Sequence, residues 1–319
     1  MNPIILWIPP LDKKALLFLV ILFSLFTGCS PKEEWNRATL LYFDTICEMN
    51  VFCEPRRFEA CQKEVHRVFA EVEAYFSPGI KDYDNPLVLD LFDKAFRVYQ
   101  DSNGFFDITV APLSRLWGFI DKKYHLPPPK EIKKTLRIVG MDKIKKDKGR
   151  LALLPDMELD WGGIAKGLGI DLAAEALKEI GISRAFINSG GDLFCWGRNP
   201  SNHSWKIGIT HPRKKGYLGV LSLSELGVAT TGDYQRCFET DNVRYHHVFD
   251  PHTGYPSRNK QSVTVIGPQT LYCDALSTAL FASPHPQKII REYPEYGAII
   301  VDSEGNIHTV GKTFPLELL

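Results

Sequence analysis

Asp160-Trp161-Gly162-Gly163-Ile164-Ala165-Lys166-Gly167 places two adjacent glycines and a lysine where an extended segment gives way to a helix. Residues 151–159 before it are apolar and read as extended, and Ile170, Leu172, Ala173, Ala174, Ala176 and Leu177 after it follow helical spacing. Glycine lets the backbone approach a ligand closely, the first N–H groups of a helix have no internal partner, and the helix dipole favours negative charge there. Lys166 adds a full positive charge. The pattern suits an anionic, phosphate-bearing ligand, although it also describes a plain tight turn. Its spacing fits neither the P-loop nor the dinucleotide fingerprint.

Working outward, the chain has 319 residues, 44% hydrophobic and 24% charged, which suits a globular protein of one large or two small domains. Basic and acidic residues balance at 38 each, so no global field recruits nucleic acid or an anionic membrane. The lysine-rich segment 133–150 contains Asp142 and Asp147 and reads as a solvated surface.

The amino terminus differs in kind. Lys13-Lys14 precedes an apolar run at 15–26, of signal-peptide length and short for a membrane span. It ends in Leu25-Phe26-Thr27-Gly28-Cys29-Ser30, similar to a bacterial lipobox, in which the cysteine is lipidated and becomes the mature first residue. The expectation is a signal peptide over 1–29, lipidation at Cys29, a tether over 30–37 and one domain over 38–319, exported to the cell envelope. The six other cysteines lack CxxC spacing and read as free thiols.

The periodicity predicts a strand over 38–52, helices over 58–76 and 86–99, a short helix at 112–117 and another segment at 131–139 after Pro127-Pro128-Pro129. From 184 onward short strands alternate with turns, at 185–188, 192–196, 205–210, 218–223, 227–231 and 236–239, with Asp241-Asn242 closing a hairpin. A last helix at 271–281 precedes a strand at 298–301. The fold class is α+β, with mixed or antiparallel sheet packed by helices.

Four further segments carry chemistry-bearing side chains. Asp274 and Thr278 lie four apart on one helix face, and both are hard oxygen donors of the kind Mg²⁺ takes. His246 and His247 lie in a strand that sends them to opposite faces, so one of them is free to enter a site and serve as a base. Asp250 orients a ring or shapes a turn. Asn188-Ser189-Gly190-Gly191-Asp192 and Thr231-Gly232-Asp233-Tyr234 are glycine turns within apolar surroundings, as loops that carry function often are.

Taken in order, Asp160 to Gly167, Asn188 to Asp192, Thr231 to Tyr234, His247 to Pro251 with Thr253-Gly254, and Asp274 to Thr278 resemble the motifs of the ApbE-type flavin transferases. The resemblance runs from about Tyr42 to Val310. It implies a flavin cleft and the transfer of FMN from FAD to a threonine or serine of an acceptor protein, with Mg²⁺ at the pyrophosphate and AMP released. By the same resemblance Asp274, Thr278, Ser277 and the Gly163 carbonyl hold the metal. Phe43, Phe105, Phe106, Asp107, Asp160, Lys166 and Phe249 contact the nucleotide, and His247, also in contact, deprotonates the acceptor hydroxyl. Members of this kind are similar to periplasmic lipoproteins that serve membrane redox subunits such as those of sodium-pumping quinone reductase. FAD hydrolysis to FMN and AMP, or FAD binding without turnover, would use the same motifs. Phe43 stands where the family usually has methionine, and Gly79 where it has an aromatic, with Tyr83 nearby.

Overall fold

The computed structural model describes residues 32–319; the expected signal peptide and Cys29 lie outside the described residues. Its frame is an eight-stranded sheet of β1 (Glu34–Tyr42), β2 (Thr45–Cys53), β3 (Ala185–Ser189), β4 (Asp192–Trp196), β5 (Leu226–Gly232), β6 (Lys260–Gly267), β7 (Gly297–Asp302) and β8 (Ile307–Gly311). Spatial order follows chain order and every neighbouring pair is antiparallel. The α+β class follows.

Among the described residues seven α-helices accompany it: α1 (Pro55–Phe76), α2 (Pro86–Asp101), α3 (Ala111–Leu116), α4 (Pro129–Thr135), α5 (Ala165–Glu179), α6 (Thr270–Ala282) and α7 (Pro286–Ile290). One face of the sheet packs on α1, α5 and α6 through Val65, Phe69, Ile170, Leu177, Leu276 and Leu280. The other is covered by a separate three-stranded sheet, Trp205–Thr210, Tyr217–Leu223 and Leu316–Leu318, through Trp205, Ile207 and Leu221 against Leu193, Val228 and Ile266. A smaller aromatic cluster around Trp117, Phe119, Tyr245 and Phe249 joins the α3–α4 region to the hairpin of Cys237–Thr240 and Val243–His246.

Four expectations change. The strand expected over 38–52 is a hairpin, β1–β2, whose two-residue turn places Phe43 at φ 56° and Asp44 at φ 55°. Left-handed pairs of this kind normally announce themselves with Asn or Gly. β1 also begins at Glu34, within the segment expected to be a tether. Residues 151–159 are not one extended run: after the short strand Arg150–Ala152, Pro155 and Asp156, at φ 64°, turn the chain. β6 was not expected at all. Its eight residues are all buried, so the polar/apolar alternation of a half-exposed strand is missing.

Among the described residues the six cysteines are free, and no helix is long and apolar enough to cross a membrane.

Candidate active site

The glycine–lysine segment meets the late helix. Gly162 and Gly163 form the turn before α5, with Asp160 Oδ1 accepting a hydrogen bond from the Gly162 N–H at 2.9 Å. Asp274 is buried, at 4% exposure, and its Oδ2 accepts from the Gly167 N–H at 3.2 Å. The start of α5 is therefore capped by an acid on α6. In return Asp171 on α5 accepts from the Thr270 and Leu271 N–H groups, at 2.8 and 2.9 Å, and caps α6. Such close approach requires a glycine: a Cβ at Gly167 would lie 2.5 Å from the Thr270 carbonyl oxygen.

Lys166 joins three oxygens around the same point. Its Nζ donates to the Gly162 carbonyl at 3.1 Å and lies 3.3 Å from Asp274 Oδ2 and 2.9 Å from Asp192 Oδ2. Burial alone would lower this ammonium, but Asp192 and Asp274 more than reverse that and hold it above the usual lysine value. Burial raises the Asp274 carboxyl above its usual range, against the pull of Lys166, with Asp192 adding to the rise. One cation thus serves two buried carboxylates.

Hydroxyls complete the cluster. Thr231 Oγ1, at the end of β5, lies 2.6 Å from Ser277 Oγ and 3.3 Å from Thr278 Oγ1, and Ser277 also donates to the Asp274 carbonyl at 2.9 Å. Gly163 sits against this group, since a Cβ there would come 3.1 Å from Thr278 Oγ1 and 3.4 Å from the Phe106 ring. Carboxylate, hydroxyl and carbonyl oxygens are the donors a hard divalent cation takes. Among the described residues no group of three or more His, Cys, Asp or Glu forms a closed metal cage, so a cation here would be completed by ligand oxygens and water.

The two histidines divide as alternation predicts. His246 is buried. Its Nδ1 accepts from the Val248 N–H at 3.2 Å, so Nε2 carries the proton and donates to the Ser257 carbonyl. It supports the loop. His247 is half-buried, with Nδ1 3.3 Å from the Arg236 carbonyl. Burial, then the charge of Arg236, push His247 down to about 3, so its ring is neutral at neutral pH. Asp250 does not orient His247. It accepts from the His252 N–H at 2.9 Å, contacts His252 Nδ1 at 3.0 Å and closes the turn to Gly254 and Tyr255.

The aromatic candidates occupy different layers. Phe43 packs on Phe69, with ring centroids 5.3 Å apart, and faces Gly169 of α5. Phe105 lies against the His252 ring at 4.6 Å and lines a cleft of about 460 Å³ with Asp250, Thr253, Tyr255, Arg258 and Asn259. Phe106 is buried behind Gly163, and Phe249 lies in the aromatic cluster, 6.1 Å from Trp117. Asp107 is buried and accepts from the Thr109 N–H and hydroxyl at 2.8 and 2.6 Å, capping a single 3₁₀ turn. Burial raises it to about 6, against those bonds. Gly79 faces open space at φ 88°, while Tyr83 packs against the core.

Two residues in the quoted motifs had no role assigned from sequence. Thr231 belongs to the hydroxyl cluster, and Asp192 holds Lys166. Their strand-end positions in glycine turns were the visible signal, but the partners are far away in sequence.

A model of the ApbE family matches residues 43–300. A Haemophilus influenzae protein named FAD:protein FMN transferase is 35% identical over 199 residues, covering 59% of this chain and 58% of the relative. Proteins of the same name from Vibrio cholerae and Treponema pallidum are 30% and 27% identical, with 82% and 86% of this chain and 86% of each relative covered. In structure, the ApbE protein of Thermotoga maritima superposes with a TM-score of 0.79 at 27% identity, covering 87% of this chain and 97% of that one. Pseudomonas stutzeri flavinyl transferase ApbE gives 0.76 at 26% identity, covering 90% and 95%. With the family match spanning most of its length, the chain belongs to the ApbE family.

Proposed function

We propose that this enzyme transfers FMN from FAD to a threonine or serine hydroxyl of an acceptor protein, with Mg²⁺ and release of AMP. Relatives named FAD:protein FMN transferase, two of them covered over 86% of their length, support flavin transfer. The observation carrying the finer reading is the convergence around Gly162 and Gly163 of the Lys166–Asp274 pair and the Thr231–Ser277–Thr278 hydroxyls, joined by the bond from Ser277 to the Asp274 carbonyl. Asp274, Thr278 and the Gly163 carbonyl would hold the cation, with Ser277 beside them. Bound there, it would neutralise charge on the pyrophosphate.

The chain's own groups do the rest. Lys166 and the α5 amino terminus face the anionic substrate, and Asp160 fixes the glycine turn. His247, neutral, accepts the proton of the acceptor hydroxyl as that oxygen bonds to the FMN phosphorus; the bond from that phosphorus to the bridging oxygen breaks, and AMP leaves with the bridging oxygen. Phe105 and the Asp250–Tyr255 turn wall the neighbouring cleft.

The test combines FAD, Mg²⁺ and an acceptor domain such as one from a sodium-pumping quinone reductase. Flavin fluorescence should migrate with the acceptor band and AMP should appear in equal amount. AMP and free FMN without labelled acceptor would show a hydrolase, and no AMP over hours a binding protein. The basic residues, apolar run and Cys29 support placement in the bacterial cell envelope, lipid-anchored and facing the periplasm. Metabolic labelling with a fatty acid, lost in a Cys29→Ala variant, would test it.

A further inference from the structure

We propose that Asp192 is a positioning residue that keeps the Lys166 ammonium on its own side of the site, so that a divalent cation can take Asp274. The inference rests on the metal-dependent reading above. As described, Lys166 lies between two carboxylates, and any cation binding Asp274 must displace part of that contact. Without a second anchor the ammonium would remain the resident counter-ion of Asp274 and compete with the metal.

Asp192 is built to be that anchor. It is the first residue of β4, directly after the Gly190-Gly191 turn, where both glycines have positive φ, 62° and 103°. A Cβ at Gly190 would lie 2.9 Å from Thr45 Oγ1, so the turn is pressed against the β1–β2 hairpin and its geometry is fixed. The side chain is 5% exposed. Oδ1 accepts the Thr230 N–H of the adjacent strand at 3.2 Å, which fixes the carboxylate plane. Oδ2 is, among the described residues, the buried side-chain atom with no hydrogen-bond partner of good angle, and it meets Lys166 Nζ at 2.9 Å as an ion pair. An oxygen left in that state is costly unless a cation stays beside it. Asp274 differs, because its Oδ2 also accepts the Gly167 N–H. Of the two carboxylates, Asp192 therefore depends more on the lysine, and the shorter contact is on its side.

A double-mutant cycle tests this, read by Mn²⁺ titration of the whole protein with the electron paramagnetic resonance signal of free Mn²⁺ as the measure of binding. Wild type should bind one Mn²⁺ that is lost in Asp274→Ala. Asp192→Asn should weaken binding by about tenfold or more, the usual scale for groups that orient a metal site from behind. In a Lys166→Met background the same change should cost under about threefold, since no ammonium remains to be held back. An equal loss in both backgrounds would overturn the inference, because Asp192 would then act on the metal directly, by its charge or as a ligand. No Mn²⁺ binding in wild type, or binding that survives Asp274→Ala, would overturn the metal assignment itself and the inference with it. Thermal melts check folding, and Asp192→Ser carries the same cycle if the Asn variant does not fold.

Discussion

Asp171 on α5 and Asp274 on α6 each cap the helix that carries the other. Asp171 takes the Thr270 and Leu271 N–H groups, and Asp274 takes that of Gly167. The acid expected to bind metal is thus also part of the scaffold, and the two helix starts are fixed against one another.

Asp171→Ala should cost about 1–2 kcal/mol, the usual scale for a lost helix cap, and somewhat more because two donors lose their partner together. Urea unfolding with an unchanged m-value measures it. A loss below a few tenths of a kcal/mol would show that water replaces the carboxylate fully.

Gly167→Ala should be worse than a helix propensity scale suggests. Alanine favours a helix by about 1 kcal/mol over glycine. Here its methyl group would strike the backbone of Thr270 and Leu271, with contacts of 2.5 to 2.7 Å. The helices must separate, at about 1–3 kcal/mol for overpacking, and the Asp274 contact opens with them. A stabilised variant with full activity would contradict the close packing.

Asp274→Ala should abolish transfer, whereas His247→Ala should retain a residue of it. General-base help is worth about 10²–10⁴-fold, while removing the acid takes away the proposed metal ligand and one of the two counter-charges to Lys166 together. AMP release at saturating FAD and Mg²⁺ gives the comparison. Greater loss in the histidine variant would reverse the ranking.

His247 should remain neutral well below the normal histidine range, since burial and its cationic neighbours push it to about 3. The sign follows from linkage. Between about 6.5 and 3 the unfolded chain holds a proton that the folded chain does not, so this residue makes stability rise with pH across that window and fall on acidification. Imidazole NMR, assigned with His247→Asn, should show no titration of this ring near 6.5. A midpoint there would mean that the ring lies open to water.

Lys260 should matter for stability although it lies at the far end of α6 from Asp274. It is buried, and its Nζ donates to the Ser283 carbonyl at 2.6 Å and the Phe281 carbonyl at 3.3 Å, where the helix leaves acceptors unpaired. Lys260→Met should cost about 1–3 kcal/mol through those carbonyls, measurable by denaturation. Burial lowers Lys260 to about 8.

Sequence carried the helical side of this site well. Gly162-Gly163 and the period of 170–177 mark the start of α5, and Asp274 and Thr278 share a helix face at four-residue spacing. The sheet side was harder to read. The Phe43-Asp44 turn lacks the Asn or Gly that usually marks a left-handed pair, and β6, buried on both faces, has no alternation to detect. The tie of Asp192 to Lys166 depends on two strands and a glycine turn being placed side by side, and local pattern contains no record of that.

The Lys166–Asp274 contact spans 108 residues of chain. During synthesis the glycine turn leaves the ribosome long before its acidic counterpart exists, so a nascent chain ending ahead of α6 has half a binding site and a lysine without that partner. A product truncated before Thr270 lacks Asp274, Ser277 and Thr278 together.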